Sequence, residues 1–265
     1  MKARPLLAAG IVLVGFTMAG YAFAQNPPTT NSVGGSQTVA QDPPSANSIE
    51  QAQTAAQLES QRDAEDFNRK IYYRNKLEAS FDVGYYPWNV PFVFDPLIGQ
   101  CCRRSQGTTD YSLIPLTLQL RWQLTDIMGR SFWRGNPEFT VGGSYTSIAQ
   151  GPESYYGAFV IGARYNFVQP DWKFVPYTDV HGGFGWTNAQ QPYEQAHNLP
   201  WVGQGQDFTF TFQWGIGLRY NFNPRFSASA GICYMHISNA YLSEPKYINH
   251  GINNVGPNWG FNVAL

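Results

Sequence analysis

The sequence predicts an all-β protein: an eight-stranded antiparallel transmembrane β-barrel, preceded by a signal peptide and a disordered or helical N-terminal extension. Three observations predict this fold. Aromatic residues make up 16% of the chain and charged residues only 13%, which is about half the usual charged share of a soluble domain. Eight segments alternate apolar and polar residues, as strands with two different faces do. After the N-terminus, no apolar run reaches the roughly 18 residues that a membrane-spanning helix needs.

Residues 1–24 have the features of a secretory signal peptide. Lys2 and Arg4 precede an apolar run, which ends in the small-residue sequence AFA at Ala24. This order predicts cleavage before Gln25 and export from the cytoplasm. An uncleaved N-terminal anchor is the alternative. No cysteine follows the cleavage position, so a lipid-anchored lipoprotein is not expected.

Two further segments precede the barrel. Residues 25–47 are rich in Pro, Gly, Ser, Thr, Asn and Gln, and such a composition cannot bury enough apolar surface to offset its ordering entropy. We interpret them as a disordered linker. Residues 48–76 contain good helix formers behind Ser48 and Gln51, which are spaced like a capping box. They predict a periplasmic helical segment, and the barrel is expected over 77–265.

The barrel strands are predicted from alternation with a period of two. In the clearest segment, 207–222, aromatic and aliphatic residues occupy one face and Thr, Gln, Gly, Arg and Asn the other. The first strand begins near Leu77. The later segments are 112–124, 138–147, 156–168, 172–186, 207–222, 225–238 and 253–265.

Strand length and face composition favour a barrel over a soluble β-sandwich, which would also alternate. The segments span about 10 to 16 residues, whereas globular strands usually have five or six, and this length is enough to cross a bilayer. The apolar faces carry Trp122, Trp214 and Trp259, as interfacial aromatic girdles do. The polar faces suit a small polar lumen. The expected location is the outer membrane, and the soluble sandwich stays the alternative.

Connection lengths predict the orientation of the barrel. The connections after the fourth and sixth strands are short, whereas 86–111, 187–206 and 239–252 are long. Bacterial barrels keep short turns in the periplasm and long loops outside, so the seventh strand should end near the outer leaflet. The connection at 125–136 is longer than a periplasmic turn should be.

Three polar residues are predicted to meet on the lipid-facing surface near that end. His236 and Ser238 share the phase of the apolar residues of the seventh strand, and Asn253 shares the phase of Trp259 in the eighth. Polar groups facing lipid are disfavoured unless they have partners or a function. A Ser, a His and an Asn together resemble a nucleophile, a base and an orienting residue. Such a site would reach ester bonds near the lipid headgroups.

The same residues carry a family resemblance. The sequence HISNA at 236–240, followed by NHGINN at 249–254 and a final alternating strand, resembles the lipid A 3-O-deacylases, or PagL-type acyloxyacyl hydrolases. KFVPYTDVHGGFG at 173–185 is similar to a further strand of that family. The resemblance covers about 77–265. It implies an eight-stranded outer-membrane barrel that removes an ester-linked acyl chain from the lipid A of lipopolysaccharide.

The resemblance also implies residue roles. Ser238 matches the nucleophile, His236 the general base, and Asn239 the position implicated in the oxyanion hole. The backbone amide of Tyr241 lies where the family usually has a glycine that helps to complete the hole. Asn253 lies where the family's best-known members have the glutamate that orients the histidine.

Asn253 is the main departure from the family pattern. Its amide can accept a hydrogen bond from the imidazole, as the asparagine of a Cys-His-Asn site does, but it cannot stabilise the imidazolium by charge. Glu244 and His250 in the preceding loop are alternative candidates for the acid. An inactive relative, or a barrel with a structural or adhesive role, is the competing hypothesis.

The expected partners are lipopolysaccharide in the outer leaflet and other outer-membrane lipids. Ester hydrolysis of this kind needs no cofactor, and the sequence lacks metalloprotease, CxxC-pair, GxSxG and P-loop patterns. No basic stripe indicates nucleic acid. The acyl position that is cleaved, a homodimer, and the state of Cys101, Cys102 and Cys233 stay open.

Overall fold

The computed structural model describes residues 54, 67–93, 110–170 and 172–265. The elements that lie wholly in these ranges are nine strands, one α-helix and two short 3-10 helices, the latter at Phe67–Lys70 and Ser131–Trp133. The α-helix, α1, spans Gln191–Ala196. The strands are β1 Leu77–Gly84, β2 Trp88–Asn89, β3 Ser112–Gln123, β4 Asn136–Gln150, β5 Tyr155–Asn166, β6 Phe174–Thr187, β7 Phe208–Asn221, β8 Phe226–Ser238 and β9 Ile252–Ala264.

Eight of the strands close into an antiparallel barrel, which confirms the predicted fold. Strand β1 pairs with β3, each strand from β3 to β9 pairs with the next, and β1 also pairs with β9. Closure matters because a strand edge left open in lipid would carry backbone groups without hydrogen-bond partners. The two-residue strand β2 continues along β9, with Trp88 opposite Val255.

The two faces of the barrel differ as the alternation predicts. On β3, Leu118 is 65% exposed on the outer face, whereas Arg121, three positions later, is completely buried inside. Trp122, Trp214 and Trp259 all lie on the outer face, about half exposed.

The barrel interior is filled by charged and polar side chains. The Arg219 guanidinium lies 2.7 Å from a Glu78 carboxylate oxygen, and Arg164 lies 2.6 Å from Asp179. Cys233 also faces inward as a buried free thiol. These contacts confirm the predicted polar lumen and show that side chains pack it.

The end with the short connections, called the short-turn end, departs from a simple set of turns. Residues 125–135 contain the Ser131–Trp133 helix and a bridge between Met128 and Gly135. They therefore form a small extra hairpin, which explains the length of this connection. The Trp133 carbonyl accepts a hydrogen bond of 2.6 Å from the Tyr165 hydroxyl, which ties the hairpin to β5.

The segment that precedes β1 covers the short-turn end. Ile71 and Tyr72 are buried there against Val168 and Val175. The Asn68 side chain donates hydrogen bonds to two backbone carbonyls of the β5–β6 connection. Residues 67–76, which precede β1, therefore close this end of the lumen.

The predicted signal peptide 1–24 and linker 25–47 lie outside the described residues. Of the predicted helical segment 48–76, the structure describes Thr54, which is helical, and residues 67–76. The latter form a single 3-10 turn followed by irregular backbone. In the ranges that the structure describes, no helix is long and apolar enough to cross a membrane.

At the opposite, long-loop end, two long connections bind each other. The Gln191 side chain of α1 exchanges hydrogen bonds with the backbone of Ile248, donating at 2.6 Å and accepting at 2.9 Å. The His250 Nε2 lies 2.9 Å from the Trp201 carbonyl, and the Gln204 side chain donates to the His250 carbonyl. Residues 188–207 and 239–251 therefore form one connected layer, called the loop layer, beside the end of β8.

Candidate active site

The predicted site residues lie at the long-loop end of β8 and β9. In the strand pairing, His236 stands opposite Asn253 of β9, and Ser238 stands opposite Phe210 of β7. The alternate residues Cys233, Met235 and Ile237 are buried inside the barrel. His236 and Ser238 therefore lie on the outer face, which has the phase that the sequence predicts.

Ser238, His236 and Asn253 form a continuous chain of hydrogen bonds. The Ser238 Oγ lies 2.9 Å from His236 Nε2, and His236 Nδ1 lies 2.8 Å from Asn253 Oδ1. A side-chain amide oxygen can only accept, so it holds the proton on Nδ1 and leaves Nε2 free to accept from the serine. The geometry is that of a nucleophile, a base and an orienting group.

Asn253 has two further partners that the sequence did not identify. Its Oδ1 accepts a hydrogen bond of 2.7 Å from the Tyr234 hydroxyl, and its Nδ2 donates to the Gly251 carbonyl at 3.2 Å. Alternation could have identified Tyr234, because it lies two residues before His236 on the same face.

Phe92, from the connection that follows β2, covers the imidazole. The ring centroids of Phe92 and His236 are 4.3 Å apart, with the planes tilted by 33°. Phe92 is 144 positions earlier in the chain, and no local pattern links it to the site. Its apolar ring excludes water from one side of the base.

Asn239 and Tyr241, the residues expected to form the oxyanion hole, follow Ser238 closely in sequence. The donors of Asn239 are not free, however, because each already has an acceptor within the protein. The Asn239 backbone N–H donates to the Asn249 side-chain oxygen at 3.2 Å, and its side chain donates to Ser243 at 2.8 Å. The Asn239 side chain is completely buried. The Asn239 side chain therefore stabilises the turn after β8, and the Asn239 backbone N–H is already bonded to an acceptor within the protein.

Tyr241 adopts the backbone conformation for which the glycine of the family is suited. Its φ angle is +65°, and the φ angle of the preceding Ala240 is +52°. Left-handed backbone is uncommon for residues with a Cβ. The turn after Ser238 thus keeps this conformation without glycine.

The alternative acid candidates do not take the place of Asn253. His250 binds the Trp201 carbonyl, and burial in the loop layer lowers the pKa of its imidazole. Glu244 is exposed on the loop. In the described part of the chain, no group of three or more His, Cys, Asp and Glu residues could hold a metal ion.

The fold and the site together define a class of protein: a closed membrane β-barrel that carries a Ser-His-Asn hydrogen-bond chain on its outer surface. Residues 116–262 match a family model described as "Lipid A 3-O-deacylase (PagL)", which is more than half of the chain. The protein belongs to this family of outer-membrane lipid A deacylases.

The chain also has a limited similarity to several solved structures. The structure of the outer membrane enzyme PagL has 18% sequence identity and a TM-score of 0.42, and the match covers 71% of this chain and 99% of that one. Neisserial surface protein A has 12% identity and a TM-score of 0.39, with 72% and 97% covered. The N-terminal barrel domain of Pseudomonas aeruginosa OprF has 17% identity and a TM-score of 0.37, with 71% and 98% covered. No curated protein matches the sequence.

Proposed function

We propose that this protein is an outer-membrane esterase that hydrolyses an ester-linked acyl chain of lipid A. The observation that carries the proposal is the hydrogen-bond chain from Ser238 through His236 to Asn253 on the outer face. The match to the deacylase family supports the substrate class. The ester bonds of lipid A lie at the boundary between headgroup and acyl chain, which a site on this face could reach.

The proposed reaction begins with transfer of the Ser238 hydroxyl proton to His236 Nε2. The serine oxygen attacks the ester carbonyl carbon, and the carbonyl oxygen becomes an oxyanion. As the tetrahedral intermediate collapses, the imidazolium gives its proton to the departing sugar oxygen. Water then attacks the acyl-serine with the same base and releases a fatty acid.

Asn253 would orient the imidazole without adding charge. A carboxylate stabilises the imidazolium by charge as well as by its hydrogen bond, whereas an amide contributes the hydrogen bond alone. Phe92 and the neighbouring strand residues exclude water from the base, which strengthens hydrogen bonds around it. The proposed site thus depends on geometry more than on charge.

Backbone amides after Ser238 would bind the oxyanion. The Asn239 N–H already points at an oxygen acceptor, the Asn249 side chain, and the substrate oxyanion would replace that acceptor. Ala240 and Tyr241 follow in left-handed backbone, and the Tyr241 N–H would be the second donor. Backbone donors aimed at the developing negative charge stabilise the transition state, and here the Asn249 side chain would have to move aside first.

Mass spectrometry of lipid A tests the proposal. Cells that express the protein should lose one ester-linked acyl chain from their lipid A. The Ser238→Ala variant should leave lipid A intact because the nucleophile is absent. Ser147→Ala, on the outer face of β4, is the matched control and should retain activity. Identical lipid A from wild-type and Ser238→Ala cells would reject the proposal.

The uncharged Asn253 favours one competing function, that of an inactive relative with a structural or adhesive role. In that case the wild-type protein would leave lipid A unchanged, and Asn253→Glu would create deacylation by restoring the charge. Deacylation by the wild-type protein would reject this alternative.

A further inference from the structure

We propose that Tyr234 is a positioning residue, which acts with the Gly251 carbonyl to hold the Asn253 amide in the one orientation that gives His236 its productive tautomer. This inference rests on the proposed function and deepens it. It assigns a role to a buried tyrosine that the mechanism above does not use.

An amide is asymmetric, whereas a carboxylate is not. A carboxylate presents two equivalent acceptor oxygens, so either one can receive the Nδ1–H of a histidine. An asparagine presents an acceptor oxygen at one end and a donor nitrogen at the other. A site with asparagine therefore needs other hydrogen-bond partners that fix which end of the amide faces the imidazole.

The hydrogen-bond partners of Asn253 determine the orientation of its side-chain amide. The far end of its amide lies 3.2 Å from the Gly251 carbonyl oxygen, which can only accept, so that end must be the nitrogen. The near end is then the oxygen, and it receives hydrogen bonds from the Tyr234 hydroxyl at 2.7 Å and from His236 Nδ1 at 2.8 Å.

The reversed amide would be unproductive. It would set two oxygens against each other at Gly251 and remove the acceptor of the Tyr234 hydroxyl. Its nitrogen would donate to His236 Nδ1, so the imidazole proton would move to Nε2. A protonated Nε2 cannot accept the proton of Ser238, whose Oγ lies 2.9 Å away.

The position of Tyr234 in the barrel makes its hydrogen bond effective. It lies opposite Val255 in the β8–β9 pair, and His236 lies opposite Asn253. Tyr234 and Asn253 are therefore diagonal neighbours on one face, a separation that a long aromatic side chain can span. Tyr234 is only 4% exposed, so a lost partner of its hydroxyl is not readily replaced by water.

The Tyr234→Phe variant tests the inference because it removes only the hydroxyl. The full chain with labelled imidazoles is refolded in detergent, and the nitrogen chemical shifts of His236 are read at about pH 8, above the ordinary histidine pKa. The wild-type protein should show one tautomer, with the proton on Nδ1. Tyr234→Phe should show a mixture, and kcat for lipid A should fall about fivefold to tenfold, as expected for one lost hydrogen bond, with KM unchanged.

A rescue variant separates positioning from a structural effect. In the Asn253→Asp background no amide can reverse, so adding Tyr234→Phe should change kcat less than twofold. Tyr145→Phe, another outward tyrosine far from the site, is the matched control and should leave the tautomer and kcat unchanged.

Two results would overturn the inference: a single Nδ1–H tautomer in Tyr234→Phe, or an equal loss of kcat in both backgrounds. The tautomer is read without substrate. Failure of this inference is therefore distinguishable from failure of the proposed function, which the Ser238→Ala lipid A profile decides.

Discussion

At the scale of single residues, Tyr241 shows how a side chain can replace glycine without loss of the backbone conformation. Its φ angle of +65° lies in the left-handed region, where glycine has no steric cost and other residues pay roughly 1–2 kcal/mol. The Tyr241 side chain is 61% exposed, so the core of the protein does not force this conformation. Backbone hydrogen bonds on either side of Tyr241 hold the turn, from the Leu242 N–H to the Asn239 carbonyl at 3.0 Å and from the Glu244 N–H to the Tyr241 carbonyl at 3.2 Å.

We expect two substitutions at Tyr241 to have opposite effects on deacylation. Tyr241→Gly should keep or raise the rate because glycine adopts positive φ freely. Tyr241→Val should lower kcat about 100-fold, the usual cost of one oxyanion donor, because a β-branched residue resists positive φ. Rates on purified lipopolysaccharide measure both variants. Equal rates for Gly and Val would show that the conformation of this residue has no part in the reaction.

At the scale of structural elements, the β8–β9 hairpin supplies the proposed site and the loop layer holds the hairpin. His250 lies at their junction, where Nε2 meets the Trp201 carbonyl and the buried Nδ1 has no acceptor among the described residues. Protonation would place a second N–H in this position. Burial therefore lowers the pKa of His250 below its ordinary value.

This shift predicts a pH dependence for the loop layer. Because the folded pKa of His250 is below the unfolded value, its neutral form contributes stability above about pH 6.5. That stability is lost as pH falls through the folded pKa. Hydrogen exchange at about pH 5, corrected for intrinsic rates, should show less protection of 188–207 and 239–251 than at about pH 8.

His250→Gln is the control, since its amide can still donate to Trp201 but does not titrate. The control is needed because Glu153, also in the long-loop end, has its carboxyl pKa raised by burial and so responds to acid in the opposite direction. An equal loss of protection in wild-type protein and His250→Gln would assign the pH dependence to other groups.

At the scale of the whole molecule, hydrogen bonds between neighbouring strands hold the barrel wall together, and ion pairs stabilise its interior. Arg164 contacts one Asp179 oxygen through Nη2 at 2.6 Å and Nε at 3.1 Å, and it stacks on Tyr177 at 3.8 Å. Both charged groups are more than 90% buried. In such a place an unpaired charge costs more than the pair itself contributes.

Asp179→Asn should therefore destabilise the barrel by about 3–5 kcal/mol, because Arg164 keeps its charge without its partner. The double variant Arg164→Met and Asp179→Asn should be more stable than the single variant, since no unpaired charge remains. Urea unfolding in lipid vesicles, followed by tryptophan fluorescence, measures both free energies. A double variant that is no more stable than Asp179→Asn would contradict this account of the lumen.

The sequence by itself determined the barrel and the face of the proposed site. A period of two assigns each side chain to one side of a strand, and this placed Arg121 inside and His236, Ser238 and Asn253 outside. Alternation is local, so it needs no knowledge of the tertiary structure. The same logic missed the extra hairpin at 125–135, where the Met128–Gly135 bridge and the hydrogen bond from the Tyr165 hydroxyl, rather than a strand pattern, order the chain.

Only the tertiary structure decided how these residues meet. The register of β8 against β9 sets His236 beside Asn253 and brings the Tyr234 hydroxyl to the same amide oxygen. The loop after β2 delivers Phe92 to the imidazole from 144 positions away. Contacts of this kind depend on strand register and loop closure, which tertiary packing fixes and no short stretch of sequence encodes.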